Sequence, residues 1–465
     1  MLEKKPSAHH CEDKHGLLTA PIASTLRKMT IPMSVGMCAI LMFNLVDTFF
    51  ISLLGTEALA AISYTFPVTF AVNSISMGIG TGLSANIARI LGQGDTSQAA
   101  RFTSHGLLLA VSLVSIVSIT GFFAIEPLFN QLGAKEDSIP LIKQYMQVWF
   151  LTIPLLVIPI AGNSALRATG DTKTPAKLMI LAGLLNGILD PLLIFGYGPF
   201  PQLGIQGAAI ASAISWLGAL CGSLYALLRR ENMLAPPQLV FIKQDWLQTL
   251  KIGTPAAFSN IMNPLSGAVL MMLLSSYGTA AVAAYGAAQR IESILLLVLM
   301  SLTSSLTPFI AQNLGANNPQ RAFEGWFLCM RFIILFQAGI FLAMITLSGP
   351  VTTLFSQDVA VKGLLNHYLL AVPLSYGFQG IVMMLVSGLN AMHKPLRAFQ
   401  WSFMRLFIFN LPSAWVGSQL YGIEGLFIGI AVGNVLGGVC AYLFVVRERR
   451  LTLEAHYQTS SSSSL

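Results

Sequence analysis

The sequence predicts an all-α polytopic membrane protein with twelve transmembrane helices, arranged as two six-helix lobes related by an internal repeat. Three observations carry that expectation. Of 465 residues, 54% are hydrophobic and 10% charged, and the mean hydropathy is +0.70; a soluble domain carries about 25% charged residues. Gly, Pro and charged clusters divide the chain into roughly twelve apolar runs, each near or above the ~20 residues that a helical crossing needs. Segments of the first half also recur in the second at a fixed spacing.

The first six runs are 27–54, 58–88, 101–127, 140–166, 175–197 and 204–228, and the second six are 246–276, 280–312, 320–349, 361–391, 396–420 and 423–446. They frame a tail at 1–20, a first lobe at 21–230, a linker at 231–245, a second lobe at 246–447 and a tail at 448–465. The net charge of +7 lies in short loops. Arg89 and Arg101, Arg167 with Lys173 and Lys177, Arg229 to Lys251, Arg321, Lys394 and Arg397, and Arg447 to Arg450 all follow even-numbered spans. The odd loops hold Lys135, Lys143 and Lys362. This positive-inside pattern puts both termini in the cytoplasm. No aromatic-studded basic patch accompanies it, so nucleic acid is not an expected partner. Cys11, Cys38, Cys221, Cys329 and Cys440 contain no C-x-x-C pair, and they imply neither a disulfide frame nor a metal site.

The repeat is legible without gaps over the first two spans. Pro32 recurs as Pro255, Gly55 as Gly278 and Gly92 as Gly315, all at an offset of 223. A short deletion after Asp171 shifts the later offset, and Gly204-Ile205-Gln206-Gly207 matches Gly422-Ile423-Glu424-Gly425. The chemistry is less even than the architecture. Asp47 aligns with Leu270 and Asp190 with Asn410, so these two acidic positions belong to the first half alone.

A carboxyl group deep in hydrocarbon costs a few kcal/mol or more and usually faces a cavity. Asp47 lies about 12 Å from the outer loop at Gly55, and Asp190 about 10 Å from the loop at Gly196. Asn44 precedes Asp47 by one turn, Asn186 precedes Asp190 by one turn, and Ser212 lies at a similar level on span six. Oxygen ligands of this kind suit Na⁺, and a close carboxylate pair also holds a proton. The competing reading is that these groups only tie helices together. Pro32, Pro159 and Pro191 interrupt spans one, four and five; Pro32 is the candidate hinge for the helix carrying Asp47, since a proline removes a backbone bond and permits a kink. Met33, Phe43, Tyr145, Phe150 and Met179 offer a soft apolar and aromatic wall for a lipophilic cation, or else ordinary packing.

In the second half, Arg290 and Glu292 fall about ten residues into span eight and do not face one another. They are expected to lock helices together, with Glu292 as a second ion site the alternative. Arg331 and Arg405 are expected to snorkel. No Walker motif is present, so ATP is not the expected energy source. No His falls deep in a span, no enzyme activity or cofactor is expected, and the tail group His9, His10, Cys11, His15 offers at most adventitious metal binding.

Together, Pro32, Val46-Asp47-Thr48, Gly55 with Ala60-Ala61, Leu166-Arg167-Ala168-Thr169-Gly170-Asp171, Asn186…Asp190-Pro191 and Gly207-Ala208-Ala209…Ser212 resemble the multidrug and toxic compound extrusion (MATE) family, and most closely its prokaryotic DNA-damage-inducible branch. The likeness spans roughly residues 20 to 450. It implies a twelve-helix exporter of lipophilic organic cations, monomeric, in a bacterial-type inner membrane, driven by H⁺ or Na⁺. Asp47, Asn186 and Asp190 match the branch's cation site. Ser212 stands where Thr is usual, and Ala208 would lend a carbonyl. Met33, Tyr145, Asn163 and Met179 match its cargo cavity, with Phe43 and Asn44 beside them. Ile40 and Pro159 depart from a close relative's polar cavity residues. Alternating access between repeats is the implied mechanism. A flippase for a lipid-linked precursor is the alternative, and a non-transporting receptor or assembly protein the reading from another class.

Overall fold

Apolar runs longer than a bilayer is thick leave backbone groups without water, and the helix satisfies those groups within one segment. A computed structural model describes residues 15–134 and 136–462, and no strand occurs among them. His9, His10, Cys11 and Lys135 lie outside the described residues.

The chain forms α1 (Ile22–Ser52), α2 (Thr56–Gly92), α3 (Thr96–Phe123), α4 (Ile125–Gln131), α5 (Ile139–Thr169), α6 (Lys173–Phe195), α7 (Ile205–Tyr225) and α8 (Leu239–Ser275). It continues through α9 (Thr279–Leu295), α10 (Leu297–Gly315), α11 (Pro319–Phe355), α12 (Val359–Ala371), α13 (Tyr376–Ala391), α14 (Pro395–Phe403) and α15 (Leu411–Ser462). Twelve crossings result, because several helices combine or divide. The short α4 does not cross, and α9 with α10 forms one broken crossing, as does α12 with α13. A π-helical turn over Met404–Asn410 joins α14 to α15, and α15 itself turns back at Tyr421 and Gly422.

Each break has a local cause. Gln337 Nε2 donates to the Leu295 carbonyl at 3.2 Å, drawing it out of the helical ladder where α9 ends. Pro373 brings no N–H to continue α12. At the turn in α15, Gly422 takes φ +63°, and Gly417 and Gly425 on the two limbs approach backbone to backbone. Small residues permit such contact between helices in a membrane.

The chain divides into two units. Among the described residues, unit 1 holds 15–19 and 28–257, and unit 2 holds 20–27 and 258–462. In unit 1, α5 packs on α2, α3 and α7, and α7 on α6. In unit 2, α13 packs on α10, α11 and α15, and α9 on α12. Backbone geometry repeats with the sequence: Gly55 and Gly278 open α2 and α9 with φ of +110° and +99° and ψ of 174° in both.

The residues expected as a linker fold onto unit 1. Ala235 N donates to Ser104 Oγ at 3.0 Å, and Gln238 N donates to His105 Nε2 at 3.0 Å. His105 therefore carries its proton on Nδ1, which meets Asp245 Oδ2 at 2.6 Å. Arg101 Nε shares that oxygen at 3.3 Å, and Trp246 Nε1 donates to the His105 carbonyl at 2.9 Å. His105 lies ten residues into α3 and is wholly buried, deeper than the sequence expectation that no His falls deep in a span.

Each unit also closes the loop after its fourth span with an ion pair. In unit 1, Asp171 accepts from the Lys173 and Thr174 amides at 3.1 Å, and Arg230 Nε stands 3.9 Å from its Oδ2. In unit 2, Lys394 contacts Glu448 Oε1, and Arg397 Nη1 reaches Glu448 Oε2 at 3.4 Å. By the repeat, Lys394 stands where Asp171 does and Glu448 where Arg230 does. The contact is kept and its polarity reversed.

Candidate functional site

Helices α1 and α6 run side by side in unit 1, and glycines on both set their spacing. A Cβ at Gly36 would press on Ala176 and Met179, one at Gly183 would lie 3.7 Å from Phe43 Cβ, and one at Gly187 would lie 3.7 Å from Val46 Cγ1. Higher still, Phe50 and Phe195 meet edge to face with ring centroids 6.4 Å apart. Asp47 follows Val46 and Asp190 follows Gly187 by one turn or less, so this ladder brings both carboxyls to one level. Each lies five residues before the end of its helix. They are near enough for their charges to act on one another.

Asn186, one turn before Asp190, donates from Nδ2 to Asp190 Oδ1 at 3.1 Å and to Ser212 Oγ at 3.4 Å. The glycine at 207 makes the second contact possible, because α7 there lies directly against the Leu193 carbonyl of α6. Ala208 and Ser212 follow on the buried face of α7. Pro191 brings no N–H, which leaves the Gly187 carbonyl free of its helical bond beside the carboxylates. Tyr145 on α5 stands within electrostatic reach of both acids.

Three oxygens in this group are buried and unpaired: Asp47 Oδ1, Asn186 Oδ1 and Asp190 Oδ2. Among the described residues, neither carboxylate has an ion-pair partner in Lys, Arg or His. Buried acceptors without donors are uncommon and costly, and a cluster made only of acceptors has the composition of a cation site. Asn163 Oδ1 is likewise unpaired, but it lies six residues from the opposite end of α5 and so sits away from the carboxylates.

The twin positions in unit 2 are neutral. Leu270 is buried. Asn410 Nδ2 donates to Asn434 Oδ1 at 3.0 Å, and Asn434 Nδ2 to Ser375 Oγ at 3.0 Å, forming a tie between helices. Within span eight of unit 2, Glu292 accepts from Tyr368 Oη at 2.8 Å. Tyr376 and Gln379 are within its hydrogen-bonding reach, and the Arg405 charge acts on it.

The MatE family model matches residues 32–192 and again 255–416, once in each half of the repeat. The chain is a MATE-family transporter. It is 47% identical over 438 residues to the FAD transporter of Shewanella oneidensis, covering 94% of this chain and 97% of that one. To the multidrug export protein MepA of Staphylococcus aureus it is 26% identical over 443 residues, covering 94% and 96%. The crystal structure of the Vibrio cholerae MATE transporter VcmN in its bent form superposes with a TM-score of 0.89 at 34% identity, covering 92% of this chain and 97% of that one.

Within this MATE fold, several residues sit differently from their sequence expectation. Asn44 is exposed, and its carbonyl accepts from Thr48 Oγ1 of its own helix at 2.7 Å; its side chain does not join the carboxylates. Met33 is fully enclosed and packs rather than lines an open wall, while Phe43, Tyr145 and Met179 are half-buried. Pro32 lies inside an unbroken α1. Arg290 is exposed and forms no ion pair among the described residues, whereas Glu292 is bonded to Tyr368. Arg405 does not snorkel: it is buried and donates from Nη2 to Asn263 Oδ1 at 2.6 Å. Sequence spacing could not show this, because the π-helical turn around Arg405 rotates its face away from the register of a regular helix.

Proposed function

We propose that this chain is an ion-coupled antiporter of the inner membrane, with both termini cytoplasmic, exporting a flavin dinucleotide without ATP or a resident cofactor. One observation carries the coupling: the three buried, unpaired oxygens of Asp47, Asn186 and Asp190, with no basic side chain among the described residues to balance them. The cluster takes up H⁺ or Na⁺ as the inward-moving substrate. For Na⁺, Asp47, Asp190, Asn186 and Ser212 supply oxygens, with the Ala208 carbonyl one turn below Ser212. For H⁺, the two carboxyls share the charge that neither holds easily in a dry site. Pro32 is the hinge through which α1 answers that neutralisation. Phe43, Tyr145 and Met179 form the cargo wall, with Asn163 below it.

The Shewanella relative supports the dinucleotide cargo, and so does the energetics. A monovalent ion moving inward yields about 2.3 kcal/mol per 100 mV, and each negative charge moving outward yields as much again. A dianionic cargo thus leaves with the membrane potential. A lipophilic cation is the second reading, favoured by the likeness to MepA and by the apolar wall. Exchanged one for one, such a cation gains nothing from the voltage and relies on the ion gradient alone.

The test is counterflow of FAD from proteoliposomes under a Na⁺ gradient and a pH gradient imposed separately. One gradient is expected to accelerate FAD exit severalfold, and Asp47→Asn to remove that acceleration while the protein still inserts. Gradient-driven export by Asp47→Asn at the wild-type rate would sink the coupling role.

A further inference from the structure

The geometry points to Arg290 as the residue that reads the cargo's charge, binding the phosphate oxygens of an anionic cargo on the open face of α9. This rests on the anionic-cargo reading above and deepens it. Arg290 lies twelve residues past the Gly278 turn, about 18 Å of helix. Asp47 lies eight residues from the equivalent turn at Gly55, about 12 Å. From matched turns, the arginine is the deeper of the two.

Depth with exposure is the informative combination. Ala281, Ala284, Tyr285, Ala288 and Ile291 form the buried face of α9, and Arg290 stands on the other side, exposed. Among the described residues it has no ion-pair partner. The contrast within unit 2 is Arg405, which is buried, bonded to Asn263 and close to the Glu292 charge. A guanidinium facing lipid at that depth is costly; facing water it costs little, and it is then free to bind. The turn before Arg290 on the same face is Gly286 and Ala287, and a Cβ placed on Gly286 would meet no protein atom within 4 Å. Side chains lean over the preceding turn of their helix, so the guanidinium stands beside open room. Its planar fork matches two oxygens of one phosphate or of a diphosphate.

The experiment is equilibrium binding of FAD and of riboflavin, which lacks phosphate, to the purified full chain. Wild type is expected to prefer FAD by tenfold or more. Arg290→Gln should weaken FAD by about 10- to 100-fold and leave riboflavin unchanged; that retained riboflavin affinity doubles as the folding control. Arg290→Lys, which keeps the charge without the fork, should fall between the two. Vesicles with and without anionic phospholipid separate cargo from headgroup: a FAD affinity independent of lipid charge supports cargo recognition. Loss of FAD affinity on adding anionic lipid would instead make this a headgroup site and overturn the assignment. A wild type that prefers FAD together with an Arg290→Gln that prefers it equally would overturn the role of Arg290 and leave the cargo reading standing. A wild type indifferent to FAD would overturn both.

Discussion

Asn186 holds Asp190 through one hydrogen bond of 3.1 Å, from Nδ2 to Oδ1, while the second carboxylate oxygen of Asp190 and the amide oxygen of Asn186 stay buried and unpaired. The amide therefore orients the carboxylate without satisfying it. Replacing Asn186 by Leu leaves Asp190 with no donor. Hydrogen bonds to charged groups are worth about 1.5–3 kcal/mol, so the half-saturating concentration of the coupling ion should change at least tenfold. Asn186→Gln, which keeps the amide but lengthens its reach, should change it less. Transport rate against ion concentration in proteoliposomes reads both.

The position of Ser212 depends on how closely α7 lies on α6. Gly207→Ala places a methyl against the Leu193 carbonyl, an overpacking that costs about 1–3 kcal/mol. The expected result is a lower unfolding temperature together with weakened ion coupling. Gly218→Ala, whose methyl would meet only the end of Leu185 at 3.5 Å, should change neither.

Glu292 is bonded to Tyr368 and carries no part of the proposed coupling. Glu292→Gln keeps an oxygen for the tyrosine hydroxyl and should preserve ion-gradient-driven export to within about twofold. Tyr368→Phe leaves the carboxylate short of a donor and should lower stability by about 1.5–3 kcal/mol. Thermal unfolding in detergent and vesicle transport, measured side by side, check the pair; a Glu292→Gln protein that unfolds normally but no longer responds to the gradient would move coupling into unit 2.

For the Lys394 and Glu448 contact, Lys394→Glu sets two carboxylates together with only Arg397 between them. Because Glu448 is largely buried, the single reversal should cost about 2–4 kcal/mol. The double change Lys394→Glu with Glu448→Lys should recover most of that loss. Recovery in unfolding temperature is the readout, and its absence would mean that the side chains contribute packing rather than charge.

Much of this was legible in the chain, and particular residues show why. Span lengths, the 223-residue offset and the isolation of Asp47 and Asp190 in one half follow from pattern alone, since hydrocarbon leaves few ways to satisfy a backbone. The level of the two acids was readable by counting turns. Facing was not. Asn44 shares the helix of Asp47 but turns outward, and Arg405 turns inward because a π-helical insertion moves it off the regular register. Tyr368, Tyr376 and Gln379 reach Glu292 on α9 from α12 and α13, and no local spacing announces it.

The reversed ion pairs have a consequence for how the chain assembles. The halves are alike enough that, during insertion, a loop from one repeat is a candidate partner for the final helix of the other. Exchanged that way, Asp171 would meet Glu448, and Lys394 would meet Arg230. Both encounters set like charges against each other, whereas both correct encounters attract. Opposite polarity thus acts as an address written on each duplicate, directing every loop to its own half by repelling it from its sibling.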